Sequence, residues 1–302
     1  MRKLGTAVTV SALALGLVSS MAWAGSIRPQ SANDGDLAPT GKGWGVHRPD
    51  GLAKPGGGGA GNGIVFHGGP VMTTTTNIHY IWYQCSQPWS GTDQSILDNL
   101  ASNLGPSPYY NINTTYYDAN NVHVLNSVSK AADVTDNCSK GTALTDANIQ
   151  QIVAAQNPTD VNGIYLVLTS QDVNATSGFC TQYCGWHTHA SIGGKDIKYG
   201  FIGNPARCPS SCSNGTAPPN GSVGADGAAS IIAHEIEEAV TDPDLNAWYD
   251  RRGMENADKC AWTFGTTYNN GTGIANMNLG GRDYLIQQNW VNANGGFCAK
   301  SY

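Results

Sequence analysis

Strands and helices alternate along most of this chain, which predicts a single α/β domain built on one mixed sheet, with disulfide-stapled loops around it. Three observations carry that prediction. Apolar segments between residues 64 and 240 follow the order strand, helix, strand, helix, strand, strand, helix. The run 163–169 (GIYLVLT) is apolar throughout and reads as a central strand. The chain also holds eight cysteines, an even number that suits a disulfide framework.

The order begins with an export signal. Arg2 and Lys3 precede an Ala/Leu/Val-rich stretch too short to span a bilayer, and Ala22-Trp23-Ala24 has the small-x-small form of a cleavage site. Residues 1–24 are therefore expected to be a signal peptide and the protein to be secreted, extracellular or in the cell wall. Residues 25–62 are rich in Gly, Pro, Asn and Asp and read as a flexible leader, with one domain over 63–302.

Within that domain, order is expected from Ile64. The run 77–83 (NIHYIWY) alternates as a strand, and Thr92 or Ser95 opens a helix that Gly105-Pro106 ends. Residues 122–125 (VHVL) read as a strand, and a helix from Thr145 to Gln156 carries Ile149, Ile152 and Val153 as its stripe. A strand at 198–202 and a helix over about 225–240 follow, and the remainder is irregular and Gly/Asn-rich.

Composition narrows the partners. Net charge is −6 and only 13% of residues are charged, with no basic run, so nothing marks a nucleic-acid or anionic-lipid surface. No stretch after the leader is apolar enough to span a membrane. The cysteines suggest two short loops, Cys180–Cys184 and Cys208–Cys212, with Cys85 joined to Cys138 and Cys260 to Cys298. A four-thiolate zinc knot is the competing reading, disfavoured in an oxidising compartment.

The motif with chemical content is His234-Glu235-Ile236-Glu237-Glu238. On a helix His234 and Glu238 fall about 40° apart with Glu235 on the same side, while Ile232, Ile236 and Val240 gather opposite. Two ligands one turn apart can bite one ion, and the carboxylate after the first can serve as general base. The familiar form ends in a second histidine. Glu238 in its place is an acceptable zinc ligand but weakens the metal as a Lewis acid. The bland alternative is an amphipathic helix with solvated acids.

Downstream, Glu255 and Asp258 follow a short loop after Asp242-Pro243. That arrangement resembles the third-ligand segment of thermolysin-like (gluzincin) peptidases. The resemblance implies a zincin-like domain with an active-site helix, Glu255 as third ligand, and Asp258 clamping the free ring nitrogen of His234. Asp244, at metzincin spacing, is the rival third ligand and Asp242 a weaker one. His187 and His189, two apart in an extended segment, would point the same way and could supply a ligand or an oxyanion donor. Tyr249 is a further donor candidate.

Several segments resemble a second family over roughly residues 64–302. They are His67-Gly68-Gly69-Pro70-Val71 with the strand at 78–83, Phe179-Cys180 to Cys184-Gly185 with His187, and Gly203-Asn204 with Cys208-Pro209 and Cys212. Pro219-Asn220-Gly221 leading to Asp226-Gly227, and Gly280-Gly281-Arg282 with Tyr284 and Cys298, complete the set. These are similar to the EXORDIUM-like (phosphate-induced) extracellular proteins, whose plant members are growth-related cell-wall proteins lacking the His and Glu residues of the 234–238 helix. The sequence thus resembles a microbial branch that retains the motif.

Two functions are expected to compete. One is a secreted zinc metallopeptidase with Glu235 as base, His187 or Tyr249 aiding, and a peptide or protein substrate. The other is a non-catalytic cell-wall or carbohydrate-binding protein with a structural or vestigial metal, its aromatic residues serving as sugar platforms.

Overall fold

The computed structural model describes residues 37–42 and 63–302. The signal peptide and most of the 25–62 leader lie outside the described residues.

A six-stranded sheet forms the centre. Its strands are β1 (Thr76–Tyr83), β2 (Val128–Lys130), β3 (Val134–Asp136), β4 (Gly163–Thr169), β5 (Gly185–Ile192) and β6 (Lys195–Ile202). Along one edge of β1, β2 and β3 pair in succession; its other edge pairs with β4, which pairs with β6, which pairs with β5. All pairings are parallel except β5 with β6. The sheet is mixed, as expected. β4 lies between two parallel neighbours with all seven residues buried, which is why its sequence shows no alternation.

The helices are α1 (Gly91–Asn103), α2 (Asp146–Ala155) and α3 (Val223–Thr241). Ser90 starts α1 through a reciprocal capping box with Asp93, ahead of both Thr92 and Ser95, because its hydroxyl takes the Asp93 N–H at 3.1 Å. Thr145 caps α2 in the same way with Asn148. Ser222 caps α3 by accepting the Ala225 N–H at 3.1 Å.

Three expectations are corrected. Residues 122–125 form no strand; only an isolated bridge joins His123 to Tyr117, and β1 takes β2 and β3 as neighbours instead. The two Cys-x-x-x-Cys segments do not close on themselves. They face each other, giving Cys180–Cys208 and Cys184–Cys212, whereas Cys85–Cys138 and Cys260–Cys298 pair as expected. Between Cys180 and Cys184 the chain makes a tight turn and then enters β5, while Cys208 and Cys212 straddle a single helical turn. With every cysteine oxidised, no thiolate remains for a zinc knot.

The third correction concerns α3. The sequence suggests one face against the sheet and one against solvent, but every residue from Gly224 to Thr241 is buried. The helix packs on β5, β6 and α1, and small residues let it approach closely. A Cβ on Gly227 would sit 2.9 Å from Pro205, and one on Gly185 of β5 would sit 2.5 Å from Ile231. Solvated acids are thereby excluded for this helix.

Candidate metal centre

Three elements meet at the last turns of α3. The helix supplies His234, Glu235 and Glu238; the edge strand β5 supplies His187; and a short helical turn at Asp258–Cys260, with the residues before it, supplies Glu255 and Asp258. All six side chains are at most 2% exposed. The backbone locks the third element to the first, since the Asp258 N–H donates to Glu238 Oε1 at 3.0 Å. The Glu255 N–H in turn donates to Asp258 Oδ2 at 3.4 Å.

His234 Nε2 lies 3.0 Å from Glu238 Oε1 and 3.5 Å from Asp258 Oδ1. His187 sits among three carboxylates. Its Nδ1 is 3.4 Å from Glu235 and 3.6 Å from Glu238, and its Nε2 is 3.5 Å from Glu255. Two groups of donor atoms result, each within 4.8 Å of one another: His187, Glu238 and Glu255, and His234, Glu235 and Glu238. Glu238 belongs to both.

The electrostatics follow from burial. Burial pushes Glu235 up to about 7, with His187 opposing. Burial raises Glu255 well above the carboxylate range, and the neighbouring Glu238 and Asp242 raise it further. Asp258 and Asp242 rise to about 6, chiefly through burial. Burial also acts on Glu238, but the His234 and His187 imidazoles overcome it and hold that carboxylate at about 2. Burial would lower His187, yet Glu235 and Glu238 carry it up to about 10. A site so arranged retains protons wherever a stronger cation is absent. Both oxygens of Glu235, both nitrogens of His187 and Glu255 Oε1 lack a hydrogen-bond partner, and native interiors rarely leave such atoms unmet. That donor set, imidazole and carboxylate together, fits zinc.

The remaining expected residues fall elsewhere. Asp242 caps the C-terminus of α3, where its Oδ1 accepts the N–H groups of Asn246 (2.6 Å) and Ala247 (2.5 Å). That turn carries Asp244 away from the Glu238–Glu255 group. It pairs instead with His189 Nδ1 at 3.4 Å and Lys198 at 3.7 Å, on a half-buried rim that also holds Asp196. The two alternative ligands, Asp244 and His189, thus share a second cluster where a lysine already provides positive charge. Tyr249 is buried and stacks face to face on His67, with ring centroids 3.6 Å apart.

Two residues of the centre were missed. Gln287 Nε2 lies 2.7 Å from His234 Nδ1 and 3.2 Å from the Ala257 carbonyl. It takes the place expected of Asp258, which lies on the Nε2 side. Glu237, buried on another flank of α3, accepts from Asn289 at 2.6 Å and is raised well above its ordinary value by burial. Nothing near Gln287 in the sequence signals a role; Glu237 was visible only as one more acid of the motif. Of the aromatic residues considered as sugar platforms, Trp82, Trp89, Trp186, Trp248 and Trp290 are buried, whereas Tyr268 and Tyr302 are exposed.

The fold and centre together define a disulfide-stapled α/β protein with a buried acid–imidazole cluster, and no solved structure matches the chain. Residues 64–290 match the model of the phosphate-induced protein 1 conserved region, and the chain belongs to that family. Among its relatives, Protein EXORDIUM-like 5 of Arabidopsis thaliana is 33% identical over 270 residues, 74% of each chain. Protein EXORDIUM-like 3 of the same plant is 32% identical over 272 residues, 74% of this chain and 79% of its own. The family and the four disulfides are consistent with an extracellular location, and no helix among the described residues is long and apolar enough to cross a membrane.

Proposed function

We propose that this chain is a secreted zinc-dependent hydrolase acting on peptide bonds, its cation held by His234, Glu238 and Glu255 with His187 as an added donor. The observation that carries the reading is the sharing of Glu238 between two buried donor groups. Burying this many carboxylates against two imidazoles is unfavourable without a further positive charge. Zinc bound there would polarise a substrate carbonyl and acidify water. Glu235, unbonded at both oxygens and raised to about 7 by burial, is suited to take a proton and return it near neutral pH. His187 Nδ1 lies 3.4 Å away as an ion-pair partner.

A second reading is favoured by the completeness of the burial: a non-catalytic cell-wall or carbohydrate-binding protein in which the metal is structural. One experiment separates them. Purified secreted protein is assayed for zinc content and for cleavage of a peptide library, with Glu235→Gln in parallel. Stoichiometric zinc with chelator-sensitive cleavage lost in Glu235→Gln supports the hydrolase. Zinc without cleavage supports the structural role, and a protein without bound metal contradicts the hydrolase and leaves the non-catalytic reading with a vestigial site.

A further inference from the structure

The segment Leu37–Lys42, which precedes the domain in sequence, is tied at both ends to residues beside the buried cluster. At one end the Leu37 N–H donates to the Arg251 carbonyl at 3.0 Å, on the turn that leads into Glu255. At the other, the N–H of His187 donates to the Gly41 carbonyl at 3.0 Å, so the segment meets the outer edge of β5 at the residue whose side chain enters the cluster. Lys42 then reaches Asp146 at 2.6 Å, its ammonium 5.2 Å from the Tyr183 ring and 5.6 Å from that of Trp186.

The contact is shaped on both sides. Pro39 and Gly41 are buried. Gly41 has φ +68°, and a Cβ there would run into the His187 carbonyl oxygen. Across the strap, Gly253 has φ +76°, and its Cβ would come within 2.9 Å of the Leu37 carbonyl oxygen. Two glycines thus permit backbone to lie on backbone where a side chain would prevent it.

Because β5 is an edge strand, its outward N–H and C=O groups recur at every second residue, and those of His189 and Ser191 continue the row that begins at His187. Beside that row lies a cavity of about 610 Å³, lined by Lys42, Trp186, Thr188, Tyr199 and Gln150 among others. An open edge with a pocket for side chains is how a sheet takes up an extended peptide.

We infer that the outer edge of β5 is a groove for an extended peptide and that Leu37–Lys42 is its resident occupant, a strap of the chain's own leader that shuts the cluster. The peptide half of this inference rests on the hydrolase reading; the strap does not. Displacing the strap exposes the His187 edge to a second chain of similar backbone form.

The test uses the full chain with Gly41→Val, which cannot seat, and Lys42→Glu, which opposes Asp146. Thr40→Val, at an exposed position, is the control. The readouts are amide exchange at His187 and binding of a labelled peptide of sequence Leu-Ala-Pro-Thr-Gly-Lys. The expected result is His187 exchange at least tenfold faster in Gly41→Val, a smaller rise in Lys42→Glu, and peptide bound by these two and not by the wild type or control. Equal exchange in all four proteins, or peptide bound by none, would overturn the inference. Peptide bound by Gly41→Val with no cleavage of it or of longer peptides leaves the groove standing and contradicts the hydrolase.

Discussion

Glu235 differs from its neighbours in the cluster because both of its oxygens lack hydrogen-bond partners, whereas Glu238 Oε1 already accepts from the Asp258 backbone. Position thus separates a residue that holds from one that can exchange a proton. On the proposed hydrolase reading, Glu235→Gln should lower hydrolysis by about 10²–10⁴-fold. Zinc content should be unchanged, read by elemental analysis beside the activity assay. His187→Ala removes a donor facing Glu235, Glu238 and Glu255 and should weaken zinc retention, measured by competition with a coloured chelator. At this scale the sequence pointed to His234, Glu235, Glu238 and His187 through local patterns, the i, i+4 spacing and the paired histidines, and to Glu255 only through its resemblance to a third-ligand segment. It could not show Gln287, whose meeting with His234 spans 53 residues and depends on how the C-terminal segment crosses α3.

The contact between α3 and β5 is the element-scale feature that shapes the centre. Gly185 permits it, and Gly185→Ala would place a Cβ 2.5 Å from Ile231 and 2.9 Å from Glu235 Oε1. Overpacking of that kind should cost about 1–3 kcal/mol, visible as a lowered thermal midpoint, and should shift Glu235. The Cys184–Cys212 bridge ties the start of β5 to the segment before α3 across 28 residues. Replacing both cysteines with serine should cost about 3–4 kcal/mol by chain-entropy arguments, measured by denaturant unfolding. The β5–β6 hairpin was partly legible. Gly193-Gly194, with φ of +59° and +76°, forms the two-residue turn that such a pair signals, yet only the second strand was expected. His187 and His189 were read as extended but not as part of the sheet, because half of β5 is Gly, His and Ser rather than β-branched or apolar residues. The crossed disulfides were illegible, since equal spacings in two segments fit either pairing.

For the whole molecule, the proposed zinc site would link metal content to stability and pH. Without zinc, Glu235, Asp242, Asp258 and Glu255 all have folded-state affinities for protons raised above those of the unfolded chain. Each contributes stability that is present at low pH and lost as pH rises through its folded value, about 6 for the aspartates and about 7 for Glu235. His187, raised to about 10, acts in the same direction. Glu238, lowered to about 2, acts oppositely, but its window lies below the pH at which an unfolded glutamate titrates. The chelated protein should therefore lose stability steadily from pH 5 to 8, measured as thermal midpoint. With zinc at about a thousand times its dissociation constant the protein should gain roughly 4 kcal/mol at neutral pH, and the slope should flatten.

The central claim is that the buried carboxylates exist to hold a cation, and metal analysis with ligand identification tests it most directly. X-ray absorption at the zinc edge on the secreted protein should show one zinc per chain with imidazole and carboxylate donors, and one fewer imidazole in His187→Ala. A secreted, folded protein that contains no stoichiometric metal, and takes up none from solution, would contradict the account.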